Sequence, residues 1–420
     1  MKRFATGLLT LLALCGTAAA QEDDDNDIER VTRGRLPTLD LPDDWVNPAR
    51  TMDIEAFRDL PYEPEAYRGA EQLGLNPEFV HDVRAGLELL YLRDYRGCRD
   101  HFRTVEEKWP GSAIAPVMDT IVWQALMLEN FDFEYERQYT TSSRAAREAL
   151  SAALAEPGNE GWEHFLMTGI TGIEAIHTVR KERYMAALSL AFEAMDHVAK
   201  AKEASPNFVD LKLADGMYHY WRSVMTMSSS MLPDFGDYRE QGMMEMAEVE
   251  TGGIFLAAPA SLSIAFALIE ERKLKQANTA TLRIARSYPD NVINNLVLGQ
   301  IQTYRRRYDT AMGTWDHILE VAPNNKRVRY WRGLTLLRSG DSEQALVEFD
   351  RYLGQEYLED YHRGQALYRR GQALYRQERY DDAWASYKEA ERVNNHKAAK
   401  AAMDRMRKAR RDGRIEFSPR

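Results

Sequence analysis

From Asn76 almost to the last residue, apolar side chains recur at spacings of three and four, which sets one stripe along each of a succession of helices. Phe79, Val83, Leu87 and Leu90 form the first stripe, and Tyr95, Cys98, Phe102 and Val105 the second. Arg93-Asp94 parts them, and Trp109-Pro110-Gly111 ends the second, because proline lacks the N–H that a helix interior needs. Gly86 falls where the two helices cross closely. Val117, Ile121, Leu126 and Leu128 then mark a further helix and Ala145 to Leu154 another, joined by more residues than a normal turn holds. Trp162 to Val179 precedes an unusually long helix over Tyr184 to Ala204, and Asp210–Met231 pairs with Tyr238–Glu250 before Gly252-Gly253, a good helix terminator.

Within this pattern one period is fixed. Ala265, Gly299 and Gly333 are 34 residues apart, as are Ala277, Ala311 and Ala345, and Pro289 and Pro323 keep the same step. Leu274, Tyr308 and Ser342, and then Thr281, Trp315 and Phe349, fall at matching offsets. A small residue in each helix lets two backbones approach, a large one fills the space between hairpins, and proline stops the second helix. The sequence here resembles the tetratricopeptide-repeat family, whose unit has this length and these positions. Gly86, Tyr95, Cys98, Phe102 and Pro110 fit the same places near the start. Gly371, Tyr380, Ala383, Tyr387 and Ala390 fit them near the end, with Asn395 replacing the proline.

The resemblance implies an all-α chain, a right-handed superhelix of antiparallel helical hairpins with no sheet of three or more strands after residue 76. Its segments are expected at 76–160 (repeat-like hairpins), 161–257 (divergent, long-helix hairpins), 258–359 (three 34-residue repeats) and 360–395 (a terminal repeat). Residues 396–420 form a basic capping helix and tail. In the terminal repeat Arg363-Gly364-Gln365-Ala366-Leu367-Tyr368-Arg369 recurs identically as residues 370–376. Seven residues are close to two turns, so the copy returns to nearly the same face and should lengthen one helix by two turns.

The first 75 residues read differently. Lys2 and Arg3, an apolar stretch from Phe4 to Leu14 and Ala18-Ala19-Ala20 have the pattern of a signal peptide over 1–20, with Gln21 as the new N-terminus. Leu14 is too bulky before Cys15 for a lipoprotein site, so a soluble periplasmic or secreted form is preferred. Residues 21–75 open on Glu22-Asp23-Asp24-Asp25 and carry five prolines, an acidic extension for which Trp45 and Phe57 are the anchors to a body. No later segment is apolar over the 18 residues a membrane span requires.

Charge and cysteine content narrow the function. The net charge is −10, and loss of Lys2 and Arg3 with the signal makes it −12, which argues against general nucleic-acid binding. Cys98 is the single cysteine after residue 20, so no intramolecular disulfide forms, and its place in a small-residue column marks a buried structural thiol.

Catalytic and cofactor motifs are absent: no G-x-S-x-G, H-E-x-x-H, C-x-x-C, phosphate loop or G-x-G-x-x-G. The chain is therefore read as a non-enzyme without a cofactor. His164 and His177, with Arg180, Lys181 and Arg183, could hold an anion, but cations at a helix C-terminus are the commoner reason for such a cluster. Met217, Met225, Met227, Met231, Met243, Met244 and Met246 lie in one hairpin with His219. Thioethers suit copper(I), which would make Met217, His219, Met225 and Met227 ligands; packing of irregular gaps explains the same residues and is preferred.

In the resembled family the first helices of the hairpins line a concave face where peptides bind. Gln300, Tyr304, Arg327, Arg338, Tyr368, Gln372, Tyr375 and Arg376 fall on those helices here and form the candidate partner-binding groove. Tyrosine and arginine dominate binding hot spots. Tyr368 and Tyr375, seven apart, are expected to share one solvent-reachable surface with Tyr304 and Arg376; Tyr330 is weighed as core between repeats. The family's carboxylate-clamp pattern is not visible. The expected function is a periplasmic scaffold or adaptor that binds protein or peptide partners in a cell-envelope complex. The alternative is an accessory that handles a substrate or small molecule for a periplasmic transport system. Ala399, Ala402, Met403 and Met406 give the C-terminal helix one apolar stripe, and its cations offer a peripheral contact with membrane.

Overall fold

The computed structural model describes residues 73–156, 158–227 and 236–418. The signal peptide, nearly all of the acidic extension with Trp45 and Phe57, and Met231 lie outside these residues. Seventeen α-helices make up the described chain. They are α1 Pro77–Tyr91, α2 Tyr95–Lys108, α3 Ile114–Asn130, α4 Glu136–Ala153, α5 Glu160–Arg180, α6 Tyr184–Ala204, α7 Lys212–Met227, α8 Arg239–Gly252 and α9 Ala257–Glu270. There follow α10 Leu274–Ser287, α11 Val292–Tyr304, α12 Tyr308–Val321, α13 Lys326–Ser339, α14 Ser342–Leu353, α15 Asp360–Arg376, α16 Tyr380–Asn394 and α17 Lys397–Arg411. Among the described residues extended pairing is limited to one isolated antiparallel bridge, Asp132 with Leu358. This is the all-helical solenoid of hairpins that the repeat period predicts.

The helices begin and end where local chemistry dictates. Asn76, Asp94, Asn159, Asn325 and Asp341 each accept a backbone N–H of the helix they precede, satisfying a donor the first turn leaves open. Gly340, at φ 104, turns the chain from α13 into α14 through the left-handed region that favours glycine.

The chain divides into two compact units, the first up to Ala125 with Tyr135–Asn291, the second Leu126–Glu134 with Val292–Arg420. The hairpin α9/α10 packs against α8 and belongs to the first unit, although its columns keep step with the later repeats. The end of α3 and the residues after it belong to the second.

In the first unit the early and late hairpins meet. Tyr288 after α10 donates to the Glu88 carboxylate of α1 at 2.9 and 3.0 Å, and Asn291 Nδ2 donates to the Tyr91 carbonyl at 3.0 Å. Inside, Phe79, Trp162, Phe255, Phe165 and Phe208 pack ring against ring at centroid distances of 5.4–6.2 Å. Asp210, buried in the turn before α7, accepts the N–H groups of Ile254, Phe255 and Leu256 at 2.7–2.8 Å and so fixes the entry to α9. Cys98 is fully buried, and burial pushes its thiol up to about 12, with Asp119 and Asp94 adding to the shift, as suits a structural residue.

In the second unit the columns become contacts. A Cβ on Gly299 would run into the Trp315 ring, one on Gly333 would lie 2.8 Å from Phe349, and one on Gly371 2.5 Å from Tyr387. Gly86 stands in the same relation to Phe102 in the first unit. The duplicated heptad also keeps one face toward α16, where Gly364 meets Asn394 and Gly371 meets Tyr387. It does not add two turns, however. α15 has 17 residues against 14 in α13, about one turn more, because Gly333 and Gly371 stand 38 residues apart, a net insertion of only four over the 34-residue period.

Candidate partner-binding surface

The groove residues of the second unit fall into three groups. On α11, Gln300 is buried and Tyr304 half-buried, with the Tyr304 ring packed edge-on against Trp331 at 6.0 Å. The Arg338 guanidinium of α13 lies 5.0 Å over the Tyr304 ring. Burial, and then the charge of Arg369, lowers the Arg338 pKa to about 10, which still leaves the guanidinium charged at neutral pH. Tyr330 is core, in contact with Phe349 and Tyr352.

On α15 the two copies of the heptad part company. Tyr368 is 2% exposed, stacked on His396 at 4.8 Å and beside Tyr387, whereas Tyr375 is 37% exposed and packs on Tyr380. The expectation that both line one solvent-reachable surface is therefore corrected: the cap at His396 covers one ring and stops short of the other. Gln372 donates to the Tyr368 hydroxyl at 2.9 Å, repeating the bond that Gln365 makes to Tyr361 at 3.0 Å, and accepts from Arg369. Arg376 is exposed, yet donates to the Leu337 carbonyl of α13.

Arg327 belongs to neither surface. It is buried, because Leu126–Glu134 passes across the N-terminal ends of α13 and α15. Arg327 lies 3.4 Å from the Phe131 ring centroid and donates to the Leu128 carbonyl at 3.3 Å. His362 stacks on the same ring at 4.1 Å and 15°. Asn325 donates to the Glu129 carbonyl at 2.9 Å, and the Lys326 ammonium bonds Asp132 at 2.6 Å and Glu134 at 2.8 Å. The Lys326 N–H donates to Asn130, and Phe133 N–H to the Tyr357 carbonyl at 3.2 Å. Asn325, Lys326 and His362 were invisible to periodicity; the one signal was the overlong connection after α3.

Several side chains of the other candidate clusters have partners within the chain. In the methionine hairpin Met243 and Met246 are core, Met244 and Met227 point outward, and Met217 sits beside the Ser263 hydroxyl at 3.8 Å. His219 bonds Glu245 at 2.7 Å; the Met225 side chain lies outside the described residues. No group of three or more His, Cys, Asp or Glu able to hold a metal occurs among the described residues. In the histidine cluster Glu136 faces both His177, at 2.7 Å, and Lys181, so a carboxylate already occupies the place of an anion. Burial lowers the His177 pKa to about 4, and His164 faces His197 at 2.8 Å between the ring nitrogens.

The C-terminal helix α17 covers the last repeat with Ala399, Ala402, Met403, Met406 and Ala409, and the tail folds back to bury Ile415 and Phe417. Arg407 lies over Trp384 at 5.0 Å and Arg410 over Phe417 at 5.6 Å. No helix among the described residues is long and apolar enough to cross a membrane.

A family model described as tetratricopeptide repeat matches residues 296–357 and 332–402. No curated protein matches the chain.

Proposed function

With residues 296–402 as a tetratricopeptide-repeat array, we propose that this protein is an exported scaffold or adaptor that holds a protein segment for a cell-envelope complex. The observation that carries the reading is the half-open cationic and aromatic face of α13 and α15, where Arg338, Gln372, Tyr375 and Arg376 stand outside the core, with the half-buried Tyr304 of α11 under Arg338. Rigid aromatic rings and planar guanidinium forks are the groups that recognise peptide backbones and carboxylates. Replacing Tyr375 and Arg376 together with Ala should weaken partner capture on the order of tenfold with only a small fall in melting temperature, since the variant loses an exposed ring and one hydrogen bond to the Leu337 carbonyl but no core residue. Equal recovery of crosslinked partners from both proteins would remove this surface from the proposal. Sedimentation of the same preparations with anionic liposomes tests the peripheral membrane contact through the exposed cations of α17, which must weaken with salt.

Export rests on the signal-like residues 1–20. N-terminal sequencing of the mature protein should begin at Gln21, and an intact Met1 would defeat the periplasmic assignment.

The small-molecule alternative has one observation in its favour, a cleft of about 680 Å³ beside the methionine hairpin, lined by Phe208, Tyr238 and Met244. It is an open cleft, not an internal cavity, and the ion pairs Lys202–Asp215 and Lys212–Glu248 occupy its polar wall, so the scaffold reading is kept.

A further inference from the structure

The residues that hold Leu126–Glu134 on the array have the character of a peptide site. None of Asn325, Lys326, Arg327 or His362 belongs to the small, aromatic or proline columns that pack the hairpins. Each touches one short segment, although His362 also pairs with Glu359 at 2.7 Å and Lys326 with the Glu356 carbonyl at 3.3 Å. Asn325 uses its oxygen to cap α13 at Val328 N–H and its amide to donate to a segment carbonyl, and Arg327 reaches a second carbonyl. The bridge of Asp132 to Leu358 and the bond from Phe133 N–H to the Tyr357 carbonyl add pairing of extended backbone, which reads any sequence. Specificity enters at two points. The Phe131 ring is held between a guanidinium and an imidazole, and the Asp132 and Glu134 carboxylates share the Lys326 ammonium.

We propose that the edge of the array formed by Asn325, Lys326, Arg327 and His362 is a recognition site for short protein segments in which an aromatic residue is followed by acidic ones, and that residues 130–134 of this chain are its resident occupant. A partner segment of the same chemistry exchanges with it. The inference rests on the scaffold reading and adds the chemistry of the partner. A tethered occupant competes at a high effective concentration, so the unaltered chain binds such a segment weakly and a chain with a weakened occupant binds it well.

The test uses the full chain and a fluorescent peptide spanning residues 128–135, followed by anisotropy. Phe131→Ala, which removes the ring and leaves the array untouched, should bind the peptide at least tenfold more tightly than the unaltered chain. Adding Lys326→Glu should cancel that gain, and a peptide carrying Phe131→Ala should bind neither protein. A Phe131→Ala protein with unaltered helicity and a cooperative melt that gains no affinity overturns the proposal. Should Phe131→Ala fail to fold, the unaltered chain is photocrosslinked at high concentration of a peptide with benzoylphenylalanine in place of the phenylalanine. Labelling of the fragments bearing Arg327 or His362 supports the site; labelling elsewhere, or none, overturns it. Loss of capture in the Tyr375/Arg376 variant is read at a different surface, so either reading can fail without the other.

Discussion

Asp210→Ala should cost the first unit about 3 kcal/mol or more, seen as a large fall in the denaturant midpoint. The buried carboxylate accepts three backbone N–H groups, from Ile254, Phe255 and Leu256, the first and last of these residues only half-buried. Removing the acceptor leaves three donors without a partner, and each buried donor left unsatisfied costs about 1–3 kcal/mol. The rings packed on Phe255 are those of Trp162, Phe165 and Phe208, none of which carries an acceptor for these donors. Asp210→Asn keeps one acceptor oxygen and should fall between the two. A midpoint for Asp210→Ala within error of the unaltered protein would mean that the turn before α7 does not fix the start of α9.

The second large effect comes as a contrast within one hairpin. Gly299→Ala in α11 should destabilise the array by about 1–3 kcal/mol, because the added methyl enters the space of the Trp315 ring. That ring has nowhere to go. It is fully buried, stacked on Trp331 at 6.2 Å, and its Nε1 donates to Thr335, which is itself bonded to Thr303 at 2.8 Å. Gly313→Ala in α12 should do the opposite. A Cβ there meets nothing within 4 Å, the site is exposed, and alanine is favoured over glycine in a helix by about 1 kcal/mol. Thermal melts of the two variants check the sign of each change. Equal shifts in one direction would contradict the helix-crossing role of the glycine column.

The same contrast shows why the repeats were legible and the site was not. Gly299, Gly333 and Gly371 each face the aromatic residue sixteen positions on, so a one-dimensional period carries a contact between neighbouring helices. Local order suffices because each hairpin packs chiefly on the next. The contacts of Arg327 are of another kind. Its partners Leu128 and Phe131 are nearly two hundred residues earlier, and no period links them. The seven-residue copy makes the limit plain. Tyr368 and Tyr375 have the same neighbours in sequence and nearly the same helix face, yet one is core and the other half-open, because α17 begins beside the first.

What the sequence determined by itself was therefore the helical period, the hairpin spacing, the close crossings at glycine and alanine, the structural character of Cys98 and the apolar stripe of the cap. All follow from backbone geometry and from packing between elements close in the chain. Only the tertiary structure decided that Tyr288 would meet Glu88, that α9/α10 would join the first unit, and that Leu126–Glu134 would lie on Asn325, Lys326, Arg327 and His362. Those choices depend on which distant surfaces complement each other in shape and charge, and neither propensity nor periodicity encodes that pairing along the chain.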